Sequence, residues 1–85
     1  MIRQIIISPS VRKTIKKLPS EIRKKLYWCI DILIKNKTYP SLRHKKIAGT
    51  DIYWEFSITM NYRVVYRRES DMAFIVAVGK HEDIF

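Results

Sequence analysis

Arg63, Lys80 and His81 are the residues of this chain whose types and places point to chemistry. The arginine lies near the start of one strand-like segment, NYRVVYRR, and the Lys-His pair lies just past the end of the next, MAFIVAV. If the two segments are antiparallel neighbours joined by a turn at Glu69-Ser70-Asp71, the start of one lies beside the end of the other, and Arg63 comes close to His81. A guanidinium can hold two phosphate oxygens at once, and an imidazole titrates near neutral pH. Together they suit the binding of a phosphate and the movement of a proton.

The elements that must position these groups can be read along the chain. RQIIIS reads as a short strand whose consecutive isoleucines predict burial on both faces. Ser8-Pro9 then opens a helix, serine as cap and proline in the first turn. Val11, Ile15 and Leu18 recur at helical spacing, with Arg12, Lys13, Lys16 and Lys17 on the other side. Leu18-Pro19-Ser20 ends that helix and starts a second, in which Ile22, Leu26, Cys29, Ile30 and Leu33 form an apolar stripe opposite Arg23, Lys24 and Lys25. The stretch KNKTYPSLRHKKIAGTD reads as a loop with a short strand around His44 to Ile47. From Asp51 the period changes to two: Ile52, Trp54, Phe56 and Ile58 on one face, Tyr53, Glu55, Ser57 and Thr59 on the other. After a turn at Met60-Asn61, Tyr62, Val64 and Tyr66 alternate with Arg63, Val65 and Arg67. Met72 to Val78 is apolar on both faces and reads as an interior strand. The expected fold is α+β in β-α-α-β-β-β order, two antiparallel helices packed on one face of a twisted antiparallel sheet, in one domain spanning 1–85.

Composition narrows the partners. Seventeen Lys and Arg against eight Asp and Glu give a formal charge of +9, which favours a polyanion such as nucleic acid or a ribosome, because neutralising phosphates releases counterions. A lone cysteine, Cys29, forms no internal disulfide, and no paired Cys/His spacing points to zinc or another metal. No cofactor is expected. The longest apolar run, Met72 to Val78, is far shorter than the roughly 18 residues that span a bilayer. The expectation is a cytoplasmic protein without a membrane partner.

Several segments together carry a family resemblance. The basic helical hairpin with LPSEIRKKL, the segment with Leu42, Lys46, Ile47 and Gly49, and then WEFSI, NYRVVYR and VAVGKHEDIF closely resemble the RelE/ParE superfamily of toxins from type II toxin–antitoxin systems over nearly the whole chain. That resemblance implies one of two activities. RelE-type members are ribosome-dependent endoribonucleases (mRNA interferases) that cut mRNA in the decoding site after activating a 2′-hydroxyl, and ParE-type members poison DNA gyrase. It also implies a cognate antitoxin partner in a toxin–antitoxin hetero-oligomer, and, for the nuclease, a ribosome carrying mRNA.

The nuclease is the expected activity, with the gyrase poison as the alternative. Such cleavage without a metal needs a base for the 2′-hydroxyl, a cation for the phosphorane charge and an acid for the leaving oxygen. Arg63 matches the arginine of the family's YR motif, and His81 falls where YoeB-like and YafQ-like members carry a catalytic histidine. Where several members place a basic residue, this chain has Ser57, a poor base; Glu55, on the same strand face, and Lys45, from the preceding loop, are the candidates, with His44 behind them. Phe85 stands where related members place an aromatic that can stack on a base. Lys80, Tyr53, Ser57 and Arg67 complete the expected substrate surface, and Lys13, Lys16, Lys17 and Lys24 the expected contacts to 16S rRNA. Ordinary alternatives stand beside these: Arg63 ion-paired to Glu55, His81 a surface residue beside Glu82 and Asp83, Lys45 a solvated charge, and Phe85 packed over Tyr53.

Overall fold

Ser8 and Pro9 start the first helix as their chemistry dictates. The Ser8 hydroxyl accepts the Val11 N–H at 3.3 Å, and Pro9 fills the first helical position, where no N–H is needed. These details come from a computed structural model, which describes residues 2–35 and 39–85; the part of the expected loop at 36–38 lies outside them. Strand β1 (Gln4–Ile7) leads into helix α1 (Pro9–Lys16), then α2 (Ser20–Lys35). Arg23 of α2 donates to the Lys16 carbonyl at the end of α1. A 3-10 turn at Pro40–Leu42 follows, closed by Arg43 in the left-handed region, φ 49°. Then come β2 (Lys45–Lys46), β3 (Tyr53–Ser57), β4 (Tyr62–Glu69), β5 (Met72–Lys80) and a last helical turn, α3 (His81–Ile84).

The strands form one sheet in the order β1-β5-β4-β3-β2. Both helices bury their apolar stripes on the same core. Val11 and Ile15 from α1 and Leu26, Cys29, Ile30 and Leu33 from α2 meet Phe56, Val64, Tyr66, Ile75 and Val78 from the sheet. Filling this layer is the main favourable contribution, roughly 1.5–3 kcal/mol for each large apolar side chain fully removed from water. The expected strand phase holds: Phe56 and Ile58 are buried and Trp54 packs half-buried against the same cluster.

The differences from expectation have local causes. The sheet is mixed, because β1 pairs in parallel with β5, Gln4 opposite Met72 through Ile7 opposite Ile75. Standing at the edge, the three isoleucines are half-buried, and only Ile5 and Ile7 pack on the core. Ile52 precedes β3 and is exposed. Strand β5 runs past Val78 to Lys80, which pairs with Tyr62, so Lys80 belongs to the strand and His81 opens the helical turn. Between Val65–Ala77 and Tyr66–Ile75 the register slips, leaving Val76 as a bulge that restores Ile75 to the core face and Phe74 to the other. Gly79 has a steric reason to be glycine: a Cβ there would stand 3.3 Å from the Ile84 side chain, which α3 folds back against the strand.

Candidate functional site

Arg63 and His81 meet where the sequence expects them. Arg63 pairs with Gly79 across β4 and β5, and the His81 N–H donates to the Asn61 carbonyl at 2.8 Å. Both line one open cleft of ≈ 510 Å³ with Met60, Asn61, Tyr62, Lys80 and Glu82, a size within the range of ligand sites, roughly 300–1,000 Å³. Two fixed cations and an imidazole face one carboxylate there, so the cleft favours an anion.

The guanidinium is not paired with Glu55. Its Nη1 turns back to the strand-connecting turn and donates to the carbonyls of Thr59 (2.7 Å), Met60 (2.6 Å) and Tyr62 (3.4 Å). Among the described residues, Nε and Nη2 have no acceptor, so an arginine held by one nitrogen keeps its other donors for an incoming oxyanion. The His81 ring is exposed and lies against Phe85, centroids 4.9 Å apart. Phe85 thus packs on His81 and not over Tyr53.

Glu55 and Lys45 form the next group on the same face. Glu55 pairs across to Val65, one step along from Ser57, which stands opposite Arg63. Its carboxylate is largely buried, 11% exposed, with the Lys45 ammonium at 3.8 Å. Ser57 is also buried, and its carbonyl takes the Cys29 thiol at 3.7 Å. The non-helical face is therefore less open around β3 than alternation alone implies. Arg67, opposite Tyr53, binds Glu69 at 2.7 Å and covers the Phe74 ring at 4.5 Å, which places these two residues at the far end of the face from the cleft. Lys13, Lys16, Lys17 and Lys24 are all exposed on or beside the helices, and Lys17 lines a hollow beside the cleft with Lys80 and Asp83.

His44 is engaged elsewhere. Its ring stacks on Trp54 and Tyr66, centroids 4.8 and 5.7 Å away, and Nε2 hydrogen-bonds the Tyr66 hydroxyl at 2.5 Å. The residues that sequence reasoning passes over are Thr59, Met60 and Asn61, which contribute through backbone carbonyls. The one signal for them is a threonine two residues before an asparagine, a pattern suited to a hydroxyl-capped turn. Among the described residues no group of His, Cys, Asp and Glu side chains could hold a metal ion, and no helix is long and apolar enough to cross a membrane.

A family profile described as the ParE toxin of type II toxin–antitoxin systems, parDE, matches residues 5–85. The chain belongs to the RelE/ParE superfamily. This toxin shares its fold with solved members. Against the DinJ–YafQ toxin–antitoxin complex of E. coli it has 20% identity over 100% of this chain and 99% of that one, TM-score 0.77. Against a mutant of the E. coli toxin RelE in the free state the identity is 21%, over 99% and 88% of the chains, TM-score 0.76. Against the RelB–RelE antitoxin–toxin complex of Methanococcus jannaschii it is 22% over 93% of both chains, TM-score 0.72. Among curated proteins none matches the sequence.

Proposed function

We propose that this toxin is a ribosome-dependent endoribonuclease that cuts mRNA in the decoding site, with the Arg63–His81 cleft at its centre. The observation that carries the reading is the convergence of an anchored arginine and an exposed imidazole on one cleft. In the reaction, the 2′-oxygen of the substrate bonds to the adjacent phosphorus and the bond from phosphorus to the 5′-oxygen breaks. The proton of the 2′-hydroxyl goes to Glu55, beside which Lys45 holds its ammonium, and protonated His81 supplies the proton that the leaving 5′-oxygen takes up. Arg63 binds the non-bridging oxygens through Nε and Nη2 as negative charge builds on them. Lys80 steers the backbone, Phe85 leaves His81 to stack on a base, and Tyr53 and Arg67 extend the substrate face, with Ser57 buried opposite Arg63. Lys13, Lys16, Lys17 and Lys24 contact 16S rRNA. No cofactor takes part.

The place of action is the cytoplasm, with the ribosome, and a cognate antitoxin holds the toxin in a hetero-oligomer between uses. Support for that partner comes from relatives solved as RelB–RelE and DinJ–YafQ complexes. A second reading, a gyrase poison without nuclease activity, is favoured by the parDE description of the matching family. One experiment separates the two: labelled mRNA on programmed ribosomes, with gyrase-dependent DNA cleavage assayed in parallel. The nuclease reading expects mRNA cuts and intact DNA. Double-strand breaks with intact mRNA would replace it by the gyrase reading.

A further inference from the structure

Two proposed reacting groups, one on β4 and one just past the end of β5, need a common frame, and the hairpin turn after β3 supplies one. The turn is tied to the core at its base, where the N–H groups of buried Ile58 and of Thr59 donate to the Tyr62 carbonyl at 2.9 and 3.4 Å. Inside it, the Thr59 hydroxyl oxygen accepts the N–H groups of Asn61 and Tyr62, each at 3.3 Å. The Asn61 carbonyl and the Tyr62 N–H belong to one planar peptide group. Thr59 therefore holds one edge of a plane whose other edge receives the His81 N–H at 2.8 Å. The carbonyls of Thr59 and Met60, in the same turn, receive Nη1 of Arg63. If that peptide plane rotates, the carbonyl under His81 turns away and the pair of carbonyls under Arg63 separates.

We propose that Thr59 is the positioning residue of the cleft: its hydroxyl fixes the turn that anchors the Arg63 guanidinium on one side and the His81 backbone on the other. This rests on the nuclease reading for its effect on rate, and on the turn geometry alone for its effect on position. Thr59 itself touches no substrate. It acts by keeping two groups within the narrow geometry that in-line attack demands, where misplacement by about 1 Å costs on the order of 10²-fold.

The test compares Thr59→Val, which keeps the shape and removes the acceptor, with Thr59→Ser, which keeps the acceptor. Single-turnover cleavage of ribosome-bound mRNA should fall about 10-fold or more in Thr59→Val, at saturating ribosome, and stay within about 2-fold of the unmodified toxin in Thr59→Ser. In an Arg63→Ala, His81→Ala background, Thr59→Val should have little further effect, because the groups it positions are gone; a merely structural role would persist there. Amide proton exchange gives a readout independent of catalysis: the His81 N–H should lose protection in Thr59→Val and keep it in Thr59→Ser. Should Thr59→Val fail to fold, Thr59→Ala carries the same comparison. An unmodified toxin that cuts no mRNA sinks the nuclease reading while the exchange experiment still decides the turn. An active Thr59→Val with a protected His81 amide overturns the positioning role.

Discussion

The chain's two histidines sit in opposite surroundings, and the contrast shows how little residue type says about role. His44 stacks on the Trp54 and Tyr66 rings, with Nε2 committed to the Tyr66 hydroxyl. His81 is exposed, touches Phe85 with one side of its ring, and is fastened through its backbone. The first imidazole closes a partly buried polar site over the core. The second is held through its backbone, with its ring on the open cleft. Each follows or precedes a lysine, in HKK and KHE, so it is mainly the partners that the fold brings to each ring that distinguish them.

The sharpest way to break this contrast is to delete each ring and read both activity and stability. His81→Ala, like Arg63→Ala, should slow cleavage of ribosome-bound mRNA by on the order of 10²-fold or more; for His81→Ala a denaturant melt should change little, since an exposed side chain away from the core contributes little to it. Full cleavage by a folded His81→Ala toxin would remove histidine from the reaction. His44→Ala should do the reverse, costing about 2–3 kcal/mol of unfolding free energy through the lost ring contacts and the Tyr66 hydroxyl left without its partner. Rate per folded molecule should hardly move. A stable but slow His44→Ala protein would mean that the two sites are coupled.

Tyr66 sharpens the comparison by pH. Burial pushes its phenol up to about 12 from 10.0, with Arg68 pulling the other way. The folded state thus holds this proton more tightly than the unfolded chain does. Its contribution is whole below pH 10 and is lost as pH rises toward 12, on the order of 2–3 kcal/mol in all. Tyr66→Phe should flatten that part of the stability curve, as followed by urea unfolding across the range. The smallest effect is expected at Phe85: replacing it by alanine should leave stability within about 0.5 kcal/mol and reduce cleavage less than about 10-fold, since stacking on a base adds only about 1–3 kcal/mol and the ribosome shares in holding the mRNA. A loss as large as that of His81→Ala would place Phe85 among the essential groups.

Much of this arrangement is legible in the residues. The Ser8-Pro9 start, the stripe on α2 and the alternation around Trp54 and Phe56 are local patterns with local causes, and they reappear as a capped helix, a buried face and a core strand. The meeting of Arg63 and His81 follows from hairpin geometry alone. Other features depend on partners that no local pattern names. The parallel docking of β1 on β5 joins the two ends of the chain, and the Val76 bulge appears only in the pairing register. The hold on Arg63 comes from carbonyl oxygens, which every residue carries and no side chain advertises. Burial of Glu55 and Ser57 likewise reflects crowding by neighbouring strands that alternation by itself does not show.

That parallel pairing also sets a timetable. Strand β1 precedes the other strands in the chain, yet among the described residues its strand partner is β5, the last strand in chain order. The β4–β5 hairpin can close through contacts near in sequence, whereas β1 must wait and then complete a long loop, the kind of late, slow step that non-local pairing imposes. Arg63 and His81 also arrive with those final strands. A nascent chain thus passes through most of the translation of this domain with an unfinished sheet and no cleft.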